Sequence, residues 1–286
     1  IISPSDYPDF LKWLPGQNKI IEYPSNKLIC NKIISQSNLI FTLDFNSLSR
    51  INEIKDIVIR SKSKKILIDH HPNPDDYAEL VYSDPTIGST CEMIYNVIYE
   101  IDKNLINKDI ASCLYTGIMT DSGSFKFPST SSKTHYIVSD LLTKNINHSL
   151  IHQNIFDVNS FDKISLLSKT LANIKKVKNL NAVYTFLTKN DLKNANYKKG
   201  DSEGFVNHGL SIKGIILSVI LIEDSKEKYI KMSFRSKGSF DVNKFAKKYF
   251  NGGGHRNAAG GISFESIDKT RKMLISAIIK TNQKLK

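Results

Sequence analysis

Asn38-Leu39-Ile40-Phe41-Thr42-Leu43-Asp44 and Lys65-Ile66-Leu67-Ile68-Asp69-His70-His71 are the two stretches that decide the fold. Each is a continuous apolar run rich in β-branched residues, the pattern of a buried parallel strand. Residues 51–60 between them carry helical periodicity. Strand, helix and strand at that spacing form a βαβ unit and place the chain in the α/β class, with a parallel sheet. Both runs end in Asp, at the carboxyl edge where open parallel sheets bind their ligands.

Further along, residues 88–103, 107–120, 132–144 and 148–156 read as helices. Ile164, Leu167, Leu171 and Ile174 recur at helical spacing over 160–178, as expected of a helix leaving the first domain. A second unit begins near Asn181, with a strand at 182–187 and a hairpin from the runs at 214–223 and 229–235. A helix over 241–250, a break at Gly252-Gly253-Gly254, a strand at 261–264 and a helix from 266 follow. The expected division is a parallel-sheet domain over 1–156, a linker helix over 157–180 and a smaller α/β domain over 181–286.

Composition narrows the class without naming a function. In 286 residues, 40% hydrophobic and 24% charged content exclude disorder as the main state. The 40 Lys+Arg exceed the 28 Asp+Glu by 12. That surplus permits an anionic partner such as nucleic acid, and the abundance of Lys, Asn and Ile equally fits compositional drift. Cys30, Cys91 and Cys113 lie in apolar stretches without metal-ligand spacing, so reduced thiols and a cytoplasmic setting are expected. No apolar run approaches 18 residues and no signal peptide is visible, so no membrane span is expected.

Three clusters in the first domain could carry chemistry: Asp44, the triplet Asp69-His70-His71, and Asp121 in Thr120-Asp121-Ser122-Gly123. An Asp at a strand end is more often a helix cap than a ligand, and Asp121 also suits a turn. The triplet is harder to read as structural, because three titratable groups after an apolar strand are costly to desolvate unless they bind something. Carboxylates mixed with imidazoles suit a divalent metal such as Mn2+, Mg2+ or Zn2+. A carboxylate bridging two ions is the usual core of two-metal phosphoester hydrolysis. In the second domain, Ser233, Arg235, Gly252, Gly253, Gly254, His255 and Asn257 suggest phosphate capture. Glycines admit an anion close to backbone N–H groups, a following helix or turn adds its dipole, and Arg meets phosphate bidentately.

On these residues the sequence resembles the DHH phosphoesterases: Asp69-His70-His71, Asp44 on the preceding strand, and Thr120-Asp121-Ser122-Gly123-Ser124-Phe125. Ser233-Phe234-Arg235-Ser236 and the stretch FAKKYFNGGGHRNAAGG over 245–261 resemble the DHHA1 substrate-binding domain. Size and layout are similar to the bifunctional oligoribonuclease and 3′-phosphoadenosine-5′-phosphate phosphatase group. The resemblance implies that Asp44 bridges two divalent ions, Mn2+ first with Mg2+ as the alternative, and that His70 and Asp121 each bind one of them. It implies that His71 sits beside the scissile phosphate, with Asp69 orienting the histidine pair. Asn46 and Arg50 extend the Asp44 motif as supports. Ser233, Arg235, the three glycines, His255 and Asn257 would grip the far end of the substrate.

The family also opens with a strand carrying a His-x-x-Pro-Asp-x-Asp motif, which Asp6 and Asp9 do not match, and the chain starts Ile1-Ile2. Some tens of upstream residues are therefore expected; if they are absent, hydrolysis should be weak even where substrate binds. The implied activity is hydrolysis of short RNA oligonucleotides to mononucleotides and of nucleotide 3′-phosphates. The alternatives are a cyclic- or linear-dinucleotide phosphodiesterase and a non-catalytic nucleic-acid-binding protein. A homodimer is left open.

Overall fold

In the computed structural model, which describes residues 1–198, 200–223, 228–281 and Leu285, the chain forms two units, Ile1–Val158 and Asn159–Lys286. The first opens with a short parallel pair, β1 (Ile2–Ser3) and β2 (Ile21–Glu22), followed by α1 (Lys27–Gln36). β3 (Leu39–Leu43) leads through α2 (Ile54–Arg60) to β4 (Lys64–Asp69) and then β5 (Leu80–Ser83). These three strands pair in parallel in the order β3-β4-β5. Four helices complete the unit: α3 (Thr90–Asp102), α4 (Lys108–Asp121), α5 (Ser132–Leu142) and α6 (His148–Phe156). Each starts where a polar side chain accepts a free backbone N–H, Ser89 from Cys91, Asn107 from Ile110, Ser131 from Thr134 and Asn147 from Leu150. Such caps contribute about 0.5–2 kcal/mol each.

The unit holds two cores. Tyr23, Cys30, Ile34, Leu48, Ile54 and Val58 pack α1 and α2 under one face of the sheet. Tyr95, Leu114, Ile118, Ile137, Leu141 and Ile151 join the four later helices. β4 lies in the middle and is buried as expected, with Leu67 and Ile68 nearly inaccessible. β3 is not: it pairs on one side only among the described residues, and Leu39, Phe41 and Leu43 are exposed. An apolar run reports strand propensity, whereas burial depends on what lies beside the strand.

The second unit opens with α7 (Phe161–Ala172), shorter than the helical spacing over 160–178 suggests because β6 (Lys175–Lys176) takes the chain into a sheet. α7 does not stand apart as a link, since Leu166 packs with Leu187, Ile220 and Ile222 inside this unit. β7 (Ala182–Leu187), α8 (Lys189–Asn194), α9 (Asn207–Leu210), β8 (Leu217–Ile222), β9 (Ile230–Ser236), α10 (Val242–Tyr249), β10 (Gly253–His255), β11 (Ala258–Ser263) and α11 (Ile267–Lys280) follow. The mixed sheet runs β10-β11-β9-β8-β7-β6, with only β7 and β8 parallel. α10 and α11 cover one face through Phe234, Phe245, Phe250, Leu274 and Ile278. The helices before β8 cover the other face at β7 and β8.

The glycine triplet leads into a hairpin. Gly253 and Gly254 continue into a strand rather than a helix, so no helix dipole points from this loop. A Cβ on Gly252 would stand 2.0 Å from the Gly260 oxygen, and Gly254 adopts φ 149° close to Ala258. Close approach of two backbones therefore explains both glycines.

Candidate metal centre

Asp44 follows β3 and Asp69 ends β4, and because Leu43 pairs with Ile68 the two carboxylates emerge side by side at the carboxyl edge. Asp44 sits at φ 65°, a left-handed conformation that Asp tolerates better than most residues, with its N–H donating to the Ile68 oxygen at 3.2 Å. Its carboxylate, His70 and His71 each offer a ligand atom, all within 4.8 Å of one another. The structure thus brings Asp44, His70 and His71 together from two strand ends.

The imidazoles are oriented. His71 donates Nδ1–H to Asp69 Oδ1 at 2.7 Å, and its backbone N–H donates to Oδ2 of the same buried carboxylate at 3.1 Å. His70 donates Nδ1–H to the Ile87 oxygen at 3.1 Å, which turns Nε2 toward Asp44 Oδ1 at 3.6 Å. With Nδ1 carrying the proton, a neutral His70 presents an Nε2 lone pair to a carboxylate oxygen. Two electron-pair donors facing one another require a cation or a proton between them. A carbonyl accepting from Nδ1–H with Nε2 turned inward is the usual arrangement of a metal-ligating histidine, so this donor set fits a divalent ion.

Asp121, the last residue of α4, belongs to the same electrostatic neighbourhood. Desolvation by its surroundings, although it keeps some exposed surface, raises its carboxyl above the ordinary range, and the charge of Asp44 adds to this. The nearby Ser89 hydroxyl, His70 and His71 oppose the rise. Thr90 donates to Asp44 Oδ1 at 2.9 Å. After Asp121, residues 123–125 run left-handed, and a Cβ on Gly123 would meet the Phe127 ring at 2.6 Å. The two support residues differ: Asn46 donates Nδ2–H to the Pro72 oxygen and so ties the β3 exit to the segment after the histidines. Arg50 is exposed and makes no hydrogen bond or ion pair with the cluster among the described residues.

In the second unit, strand register places several of the sequence-derived residues on one face of the sheet. Lys231, Ser233 and Arg235 point away from the core of Ile230, Met232 and Phe234. Arg235 pairs with Ala258, which pairs with His255, so Arg235 and His255 occupy one row, roughly 10 Å apart across three strands. Ser233, Gly260 and Gly253 form the next row, and their small side chains leave the surface open. Burial lowers Arg235 from its ordinary value, and Glu203 partly offsets this. Its guanidinium donates to the Phe234 oxygen. Gly254 N–H donates to Asn243 Oδ1, and Asn257 Nδ2–H donates to Ser236 Oγ at 2.9 Å and faces the Gly238 oxygen.

Residues 3–118 match the DHH family, N-terminal domain, and residues 179–280 match the DHHA1 domain. A Bacillus subtilis protein named bifunctional oligoribonuclease and PAP phosphatase NrnA is 31% identical over 216 residues, covering 75% of this chain and 67% of that protein. The chain belongs to the DHH family. A crystal structure from Bacteroides fragilis, described as an exopolyphosphatase-related protein, shares 40% identity and a TM-score of 0.95 over 99% of this chain and 83% of that one. A cyclic-di-AMP phosphodiesterase, PdeA, from Listeria monocytogenes is 26% identical over 91% of this chain and 40% of that protein. The chain spans 58–67% of the length of the first three curated relatives. DHH relatives so named act on phosphoester bonds. No helix among the described residues is long and apolar enough to cross a membrane.

Sequence reasoning missed Thr90, whose hydroxyl donates to Asp44 within this DHH centre. A signal was present: Ser89-Thr90-Cys91-Glu92 has the S-x-x-E spacing of a capping box. Glu92 instead turns to Thr134, whose hydroxyl lies 3.1–3.2 Å from both carboxylate oxygens.

Proposed function

We propose that the protein hydrolyses short oligoribonucleotides to mononucleotides and removes the 3′-phosphate of 3′-phosphoadenosine 5′-phosphate, using two divalent ions, Mn2+ first. The observation that carries this is the convergence of Asp44, His70 and His71 ligand atoms within 4.8 Å at a parallel-sheet edge. Asp44 and His70 would hold metal through Oδ1 and Nε2, with Asp121 as a further carboxylate. Bound divalent ions supply Lewis-acid charge to the phosphoryl oxygens and acidify water. His71, fixed by Asp69, would face the scissile phosphate and donate or accept a proton at Nε2. Arg235, with His255 in its own row and Ser233 in the next, would take a substrate phosphate bidentately. Relatives named for oligoribonuclease and PAP phosphatase activity support this substrate class. Three free cysteines, Cys30, Cys91 and Cys113, accord with a cytoplasmic setting.

The test is release of mononucleotides from di- to pentaribonucleotides in Mn2+, compared between the protein and its His70→Ala variant. Mn2+-dependent release abolished by the substitution is expected. Equal release by both proteins would remove the reading. Competition between cyclic di-adenylate and a linear dinucleotide distinguishes the signalling phosphodiesterase: preferential cleavage of the cyclic form would replace the oligoribonuclease reading.

A further inference from the structure

β11 carries a glycine that its own fold does not require. Glycine inside a strand marks a bulge, a tight bend, or a place where a ligand or another backbone comes close. Three neighbouring glycines have the last of these reasons. A Cβ on Gly252 would stand 2.0 Å from the Gly260 oxygen, one on Gly254 2.6 Å from the Ala258 oxygen, and one on Gly261 2.9 Å from the Phe250 oxygen. Gly260 differs. Among the described residues beyond its chain neighbours, a Cβ built there meets only the Met232 oxygen within 4 Å, at 3.8 Å, an ordinary van der Waals contact. Its φ lies outside the left-handed region. β11 pairs with β9 one-to-one from Ala258–Arg235 to Ser263–Ile230, so there is no bulge at Gly260. Space, conformation and register would all accept a side chain, which leaves the close approach of a ligand.

The surface around Gly260 is low. Alternation along β11 buries Ala259, Gly261 and Ser263 and leaves Gly260 exposed between the half-buried Ala258 and Ile262. Ser233 of β9 and Gly253 of β10 lie beside Gly260 in register. None of these immediate neighbours except Ile262 carries more than one heavy side-chain atom beyond Cβ, so the floor is peptide backbone. Arg235 and His255 stand one pleat away in the row of Ala258, about 7 Å along the strands, and Ile262 one pleat away in the other direction. On the far side of Arg235 its β8 partner, Ser218, is 1% exposed, so that direction is closed. A phosphate held by Arg235 therefore finds its open ground over Gly260.

We propose that Gly260 is a specificity-determining residue: it leaves a backbone floor on which the nucleoside attached to the Arg235-bound phosphate lies flat, its base toward Ile262. The inference rests on the phosphate capture by Arg235 proposed above and names the group joined to that phosphate. A planar ring gains dispersion only where a flat surface meets it closely, and a gap of about 0.5–1 Å forfeits a quarter to a half of each contact. A side chain at the centre of the floor would open such a gap. Inorganic phosphate has no ring and makes no use of the floor, so the two ligands separate the nucleoside contact from the phosphate contact.

Gly260→Val adds a branched side chain that strands favour, so its Tm is expected to hold or rise. NMR titration in metal-free buffer provides a readout separate from turnover. Gly260→Val is expected to bind adenosine 5′-monophosphate about tenfold or more weakly than the unsubstituted protein and to bind inorganic phosphate equally well, with Gly260→Ala in between. Equal affinity for adenosine 5′-monophosphate in both proteins overturns the floor, and loss of phosphate binding in Arg235→Met beside it leaves the capture reading standing. Parallel loss of both ligands in Gly260→Val gives the floor to the phosphate and overturns the nucleoside assignment. A Tm lowered as far as in Gly252→Ala shows that the fold requires this glycine and overturns the inference too. Failure of the unsubstituted protein to bind either ligand overturns both the capture reading and the floor.

Discussion

Asp69→Asn isolates the orienting role of one buried carboxylate. Asp69 accepts the backbone N–H and the Nδ1–H of His71, at 3.1 and 2.7 Å, and has no exposed surface. An amide has one acceptor oxygen and one donor NH2 in the same space. The backbone N–H of His71 can only donate, so the Asn oxygen serves it and the NH2 turns to the ring. The ring can adapt: Nδ1 becomes the acceptor and the proton moves to Nε2, the atom that would otherwise bind metal or meet substrate. Replacing a charge-assisted hydrogen bond costs about 1.5–3 kcal/mol before relaxation. The expected 10–100-fold fall in Mn2+ affinity corresponds to about 1.4–2.7 kcal/mol, the same range. Two measurements check this, Mn2+ titration calorimetry and 15N NMR of the His71 ring. A His71 ring still protonated at Nδ1, with Mn2+ binding unaltered, would refute the reasoning.

Three more expectations follow from other parts of the molecule. Gly252→Ala places a Cβ 2.0 Å from the Gly260 oxygen and should destabilise the second unit by about 1–3 kcal/mol, read as a lower Tm. Arg235→Met should weaken binding of inorganic phosphate or a nucleoside monophosphate at least roughly tenfold with little change in Tm, because the guanidinium's bidentate, charge-assisted contact is lost. Burial raises the Glu92 carboxyl above the ordinary range, the Thr134 hydroxyl opposing it, so the folded state holds this proton more tightly than the unfolded chain. Stability from Glu92 should therefore increase as pH falls through its raised folded value toward the ordinary value of about 4.3, and Glu92→Gln should flatten that part of a urea-denaturation pH series.

Much of the architecture was legible because it is local. Leu67 and Ile68 in β4, and the capped helices after Ser89, Asn107 and Ser131, carry their signals within a few residues. The Asp69-His70-His71 triplet stood out because desolvating it is costly, and Asp44 reached it through parallel register alone. What escaped depends on distant neighbours. The exposure of Phe41 follows from the position of β3 in strand order, which no pattern within β3 encodes. The steric demand on Gly252 and Gly254 comes from the hairpin with Gly260 and Ala258, and the bond from Asn257 to Ser236 from strand pairing, neither of which the triplet's own residues encode. Thr90 was hidden because the Ser89 helix cap accounts for the sequence pattern and leaves the direction of the Thr90 hydroxyl proton unspecified.

The open side of β3 has a practical consequence. A five-residue, mostly apolar strand that pairs on one side only among the described residues is a template on which another strand can grow. Whatever strand adds there, from this polypeptide or a second copy, would cover Leu39, Phe41 and Leu43 and brace the backbone one residue before Asp44. Concentration, solubility and metal affinity should then change together. A crowded preparation would gain order at its catalytic edge and lose monomers by the same hydrogen bonds.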